Sequence, residues 1–171
     1  MESTIMAVRS SQVIKPNTSN QKNFFPIKVF LAGSIEMGKA EDWQTRVENL
    51  LDKDQVTIYN PRREDWDSSW SQEETNDNFR YQVNWEMNRL EMSNFILMNF
   101  DPETKSPITL FELGLHCKDQ KLVICCPKEF WRSGNVQVIC SRYNIPLFER
   151  LEEAVACIQT KIESLSLVKF N

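Results

Sequence analysis

The sequence predicts an α/β fold built on a parallel sheet, and three observations carry that prediction. The runs IKVFLAG (27–33), VTIYNP (56–61), NFILMNF (94–100) and KLVICCP (121–127) are apolar along most of their length, the pattern of strands covered on both faces. A stretch with helical spacing follows each of them. Strand and helix therefore alternate along the chain, which calls for right-handed crossovers and helices on both sides of the sheet.

Taken in order, the first 25 residues, MESTIMAVRSSQVIKPNTSNQKNFF, are polar and hold no signal-like apolar run. A disordered tail is expected for 1–25 and a single domain for 26–171. A transit peptide is the weaker reading of this acid-poor segment, since it contains one arginine, Arg9. The first strand, 27–33, ends in Gly33, and residues 39–52 follow with Trp43, Val47, Leu50 and Leu51 at helical spacing. Pro61 stops the second strand, and the polar, aromatic loop RREDWDSSWSQEETN (62–76) comes next. A helix from about Phe79 to Met92 precedes the third strand. Ser106 and Pro107 read as N-cap and first position of another helix. Beyond the fourth strand lie a helix near 135–143, a short strand at 146–148, and a C-terminal helix with Leu151, Val155, Ile158 and Ile162 on one face. Five such strands fit a doubly wound, flavodoxin-like sheet, in which ligands bind outside the carboxyl ends of the strands. Gly33-Ser34-Ile35, Asn60 to Asp67, Phe100 to Ser106 and Pro127 to Asn135 are the loops at that edge.

Composition narrows the function. The chain has 171 residues, 20 basic against 24 acidic, and a net charge of −4 without a basic block. That balance argues against a nucleic-acid polymer as partner and leaves small anionic ligands open. No stretch reaches membrane-spanning length, so no membrane partner is expected. Five cysteines, two of them adjacent at Cys125 and Cys126, form neither a disulfide framework nor a paired metal-binding motif; they read as reduced core residues of a cytoplasmic protein. Neither GxGxxG nor GxxxxGK[ST] occurs, so dinucleotide and P-loop binding are unsupported. With His116 as the single histidine, imidazole-based metal sites are disfavoured.

Carboxylates carry the chemistry that remains. In SPITLFELG (106–114) the apolar residues Ile108, Leu110, Phe111, Leu113 and Leu115 spread around the helix axis, so a largely buried helix is expected, with Glu112, Thr109 and His116 in one narrow polar gap. Glu112 is then either an ion-paired structural charge or a working one. Glu86 sits beside Trp85 on the preceding helix, and Asp65 and Asp67 lie in the loop after the second strand. A solvated reading holds for each of these taken alone. Taken together, two carboxyls suit glycosyl transfer, in which one attacks an anomeric carbon while the other protonates the leaving group. Trp66 and Trp70 in a polar loop want a flat apolar partner such as a nucleobase. Trp131, in FWRSGN (130–135), is read equally well as ligand contact or as a core residue of a folded-over loop.

FLAGSI, the NPRR–DWD loop, the QVNWE helix and SPITLFELG stand in this order, and together they resemble the nucleoside 2-deoxyribosyltransferase family, in its nucleoside 2-deoxyribosyltransferase-like branch, over roughly residues 27–145. The resemblance implies a flavodoxin-like fold, a homo-oligomer with shared active sites, no cofactor, and exchange of bases between nucleosides through a covalent sugar–enzyme intermediate. It implies Glu112 as nucleophile, Glu86 at the place of a family aspartate, Ser106 where an aspartate precedes the nucleophile by six residues, and Phe30 at the place of a tyrosine. Asn135 matches an asparagine that reaches the sugar of a neighbouring subunit. Arg62, Arg63 and Arg132 with Ser34 suit a phosphate, so hydrolysis of nucleosides or their 5′-monophosphates stands as the alternative reaction. A nucleotide-binding module without turnover is the alternative of another class.

Overall fold

The computed structural model describes residues 10–35, 41–63 and 65–168. Its strands are β1 (Gln12–Ile14), β2 (Lys28–Gly33), β3 (Thr57–Tyr59), β4 (Phe95–Asn99), β5 (Leu122–Cys125) and β6 (Leu147–Phe148), and its helices are α1 (Trp43–Leu50), α2 (Asp77–Met92), α3 (Pro107–His116), α4 (Ser133–Tyr143) and α5 (Leu151–Val168). All strand pairings are parallel, in the order β1-β3-β2-β4-β5-β6. Successive residues of β2 serve opposite faces, as a pleated strand requires. Phe30 and Ala32 join the core with Trp85, Leu113 and Val136 of α2, α3 and α4. Val29 and Leu31 join the core with Trp43 and Val47 of α1 and Val155 and Ile158 of α5. This is the flavodoxin-like arrangement that the apolar runs predict.

Local signals set the helix starts. Asn76 caps α2 by accepting from the Phe79 N–H at 3.0 Å, and Asp42 caps α1 by accepting from Thr45 at 3.2 Å. The residues before Glu41 that were expected to open that helix lie outside the described residues. From β2 the chain steps outward to β3 and then returns past β2 to β4, so the topological switch falls between β2 and β4. Gly33 pairs with Asn99 at that point. Its φ is +152°, and a Cβ there would stand 2.4 Å from the Asn99 carbonyl oxygen. Only glycine permits the approach.

Three expectations are corrected. Residues 10–25 are not a disordered tail: β1 adds a sixth strand, and Ile14 is completely buried in the core beside Trp85. Three residues are too few to show a period, which is why composition dominated the reading of that segment. Residues 1–9 lie outside the described residues. Secondly, α3 is not buried all round. Thr109, Glu112, Leu113 and His116 face inward, whereas Ile108, Phe111 and Leu115 are 63, 62 and 51% exposed. The sheet covers one side of a helix, and the polar side is the one it covers. Thirdly, Ser106 does not cap α3 through its side chain; it takes a left-handed conformation with φ 48°. Its carbonyl begins the helix by accepting from Leu110 at 3.0 Å. Pro107 holds the first helical position as expected. Among the described residues no helix is long and apolar enough to cross a membrane.

Candidate active site

Glu86 on α2 and Glu112 on α3 lie near enough for the charge of one to act on the other. Glu112 is 7% exposed. Burial, and then repulsion from Glu86, pushes its carboxyl up to about 8 from an ordinary 4.5. Burial likewise pushes Glu86 up to about 7, while the Gln82 amide, donating to its Oε1 at 2.6 Å, favours the ionised form. Because the charge of Glu86 acts on Glu112, the titration belongs to the pair. Both carboxyls are thereby held toward their neutral forms, Glu112 the more strongly. Gln82 is itself tied down, donating also to the Pro61 carbonyl at 3.1 Å. Sequence reading missed Gln82; its position four residues before Glu86, on the same helical face, was the available signal.

The charges of the loop after β3 are paired within the loop and with the start of α1. Asp65 is exposed and takes two bonds from Arg63, at 2.9 and 2.8 Å, which hold its carboxyl below the usual range. Asp67 is exposed and bonds the Ser69 N–H at 2.8 Å, which holds it low as well. Both stay ionised near neutrality. Trp66 is half-buried and meets Trp70 edge-on with ring centres 5.2 Å apart, and Arg63 lies 5.1 Å over Trp70. Arg62 turns to the start of α1, donating to the Glu41 carbonyl at 3.3 Å and to Gln44 at 3.4 Å. Glu64 lies outside the described residues.

At the switch point three hydroxyls gather. Ser34 bonds Thr104 at 2.7 Å and also bonds Ser106, and Thr104 bonds Ser106 at 2.8 Å. The Asp101 N–H donates to Ser34 at 3.2 Å. All three side chains are buried, and the cluster holds Ser106 in its left-handed conformation. Thr104 was not anticipated; only the fold sets it against Ser34, seventy residues away. Beside the cluster Trp131 donates to the Lys105 carbonyl at 3.0 Å, with the Lys105 ammonium 4.8 Å and the Arg132 guanidinium 4.4 Å from its ring. Phe130 supplies the core ring of this loop, packed 4.8 Å from Phe100, and Trp131 stays outside. Asn135 is exposed on the first turn of α4.

The remaining candidates are structural. His116 bonds Asp119 at 2.6 Å. Cys117, Cys125, Cys126 and Cys140 are buried free thiols; burial pushes Cys125 and Cys140 to about 11 and Cys126 to about 12, which leaves them unreactive. Among the described residues no three His, Cys, Asp or Glu side chains gather as a metal-ligand set. One hollow of about 260 Å³ lies along α2 at Trp85, Asn88 and Arg89, and another of about 190 Å³ lies at the sheet edge around Trp43, Asn99 and Asp101. Neither includes Glu86 or Glu112.

A doubly wound parallel sheet covered by helices on both faces defines the class, an α/β protein of flavodoxin-like fold, here with two carboxyls of raised proton affinity on neighbouring helices. Residues 26–130 match the family model described as nucleoside 2-deoxyribosyltransferase like, and the chain belongs to that family. No curated protein matches the chain significantly.

Proposed function

We propose that the protein breaks the N-glycosidic bond of a (2′-deoxy)ribonucleoside and transfers the sugar to another nucleobase. The observation that carries this reading is the Glu86–Glu112 pair, whose carboxyls are both pushed up toward neutrality, in a chain of this family. The Glu112 carboxylate attacks C1′, forming a C1′–O bond as the C1′–N bond breaks. The departing base takes the bond pair and receives the proton from Glu86. A second base then attacks C1′, Glu112 leaves as carboxylate, and Glu86 takes the proton released. Because the positive charge that develops at C1′ favours a carboxylate beside it, substrate draws the shared proton from Glu112 to Glu86. Asp65 and Asp67 are poor acids, since both are held ionised. Trp66 supplies a stacking surface for the base. Incubation with deoxyinosine and free adenine tests the reading: deoxyadenosine should form, and Glu112→Ala should abolish it. Full exchange by that variant would refute the assignment.

The exposed stripe of Ile108, Phe111 and Leu115 beside Glu112 supports assembly with a second copy of the chain, which would close the site and bring Asn135 to a neighbouring sugar. Monomeric proteins rarely leave such a stripe open.

A second reading has water replacing the acceptor base and a nucleoside 5′-monophosphate as substrate. The Ser34–Thr104–Ser106 hydroxyls, with Lys105 and Arg132 nearby on Trp131, favour it as a place for phosphate. Free sugar phosphate from deoxyinosine 5′-monophosphate, with no base exchange, would establish this reaction instead. Saturable nucleotide binding without any product, and without a trapped adduct on Glu112, would leave a binding module.

A further inference from the structure

The segment before the matched family region is tied to the helix that carries Glu86. β1 lies parallel to β3 with Ile14 opposite Tyr59, and the chain then turns, with Lys15 and Thr18 bonded to each other at 2.9 and 3.0 Å. Gln21 closes the turn. Its amide donates to the carbonyls of Lys15 and Thr18 at 3.0 and 2.6 Å. That fixes its Oε1, which accepts from the Trp85 indole at 3.1 Å and from the Arg89 guanidinium at 3.0 Å. Every hydrogen-bonding position of this amide is used. Two further bonds tie the segment down: Tyr81 donates to the Pro16 carbonyl at 3.1 Å, and Tyr59 donates to Asn23 at 2.7 Å.

Elsewhere α2 is held by the Gln82 bond to the Pro61 carbonyl and, at its far end, by the Lys121 ammonium donating to the Leu90 carbonyl at 2.7 Å. Of its sixteen residues only Gln82, Trp85 and Leu90 are buried, a small apolar hold for a helix of that length. Trp85, the largest of the three, is the one Gln21 grips, and Glu86 is its neighbour in the chain. Arg89 completes the contact, stacked 5.0 Å over Tyr59 and 5.7 Å over Trp85. A small roll of α2 about its axis would swing Glu86 relative to Glu112 on α3.

We infer that residues 10–25 form a positioning arm for Glu86, and that Gln21, through Trp85 and Arg89, is the residue that sets the roll of α2. The consequence for turnover rests on the proposed acid role of Glu86; the placement of its carboxyl does not.

The test follows the side-chain carboxyl carbons of Glu86 and Glu112 by NMR titration in the full chain, in wild type, Gln21→Met and Trp85→Phe. Both variants remove the same hydrogen bond, one from each side, and Trp85→Phe keeps a ring in the core. In each, the Glu86 midpoint should return toward the ordinary glutamate range, its proton affinity falling about threefold or more. Turnover should fall about tenfold with the Michaelis constant nearly unchanged, and the limb of the pH profile should move with the midpoint. Folded variants in which both glutamates titrate as in wild type would overturn the inference. Should Gln21→Met fail to fold, Trp85→Phe decides by the same criterion. A wild type that releases no base would sink the proposed function, and the titration would still decide whether the arm places Glu86.

Discussion

Replacing Glu112 with glutamine removes a buried ionisable group while keeping its shape, and the consequence for stability depends on pH with a definite sign. In the unfolded chain this carboxyl gives up its proton near 4.5, whereas in the folded protein it holds it until about 8. A group whose folded value is raised favours folding in full below the unfolded value, and that contribution drains away as pH climbs toward the folded value. Each tenfold change in proton affinity corresponds to about 1.4 kcal/mol, so the gap sets a ceiling of about 5 kcal/mol. Glu86 relaxes part of this, because losing one charge lets the other form more easily, and about 2–4 kcal/mol is the expected effect. The uncharged amide has no such dependence. Urea unfolding followed by tryptophan fluorescence at pH 5, 7 and 9, at one protein concentration, should therefore show Glu112→Gln gaining on wild type as pH rises. A stability difference that stays flat across that range, or moves the opposite way, would refute the claim that the carboxyl is buried and raised.

Four other outcomes are expected. Glu86→Gln should lower turnover by about 10²–10⁴-fold with binding retained; the wild-type profile should be bell-shaped, with limbs near about 7 and about 8, and the variant should lose that shape. Gly33→Ala drives a Cβ to 2.4 Å from the Asn99 carbonyl and should cost about 1–3 kcal/mol in denaturant unfolding; an unchanged midpoint would mean the strand end yields freely. Phe111→Glu should reduce the mass seen by sedimentation to that of single chains, whereas an unaltered mass would remove the α3 stripe as an interface. Trp66→Ala should raise the Michaelis constant and leave turnover nearly constant; if neither affinity nor base preference changes, the loop is a solvated connector.

The sequence alone determined the central strands, because β2, β4 and β5 are apolar on both faces and a covered parallel sheet accommodates that. It also pointed to the family and singled out Glu112 as a candidate, since SPITLFELG is a local motif and a carboxylate among apolar residues is conspicuous without coordinates. Tertiary structure decided what depends on neighbours distant in the chain. Periodicity places Ile108, Phe111 and Leu115 around an axis but cannot say which side of it the sheet covers, and the sheet took the side with Glu112. Ser106 reads as a cap by local rule; Ser34 and Thr104 drew its hydroxyl away. Asp65 and Glu86 are equivalent carboxylates on paper, and only folding exposed one to Arg63 and solvent while drawing the other partly out of water, where its charge acts on Glu112. The arm is the extreme case. Ile14 and Gln21 sit in a polar stretch with the composition of a tail, and their roles come wholly from Tyr59, Trp85 and Arg89, residues that the parallel pairing of β1 with β3 brings within reach. Local patterning records what a segment is able to form; burial of a polar group is settled by which partners the whole chain brings to it.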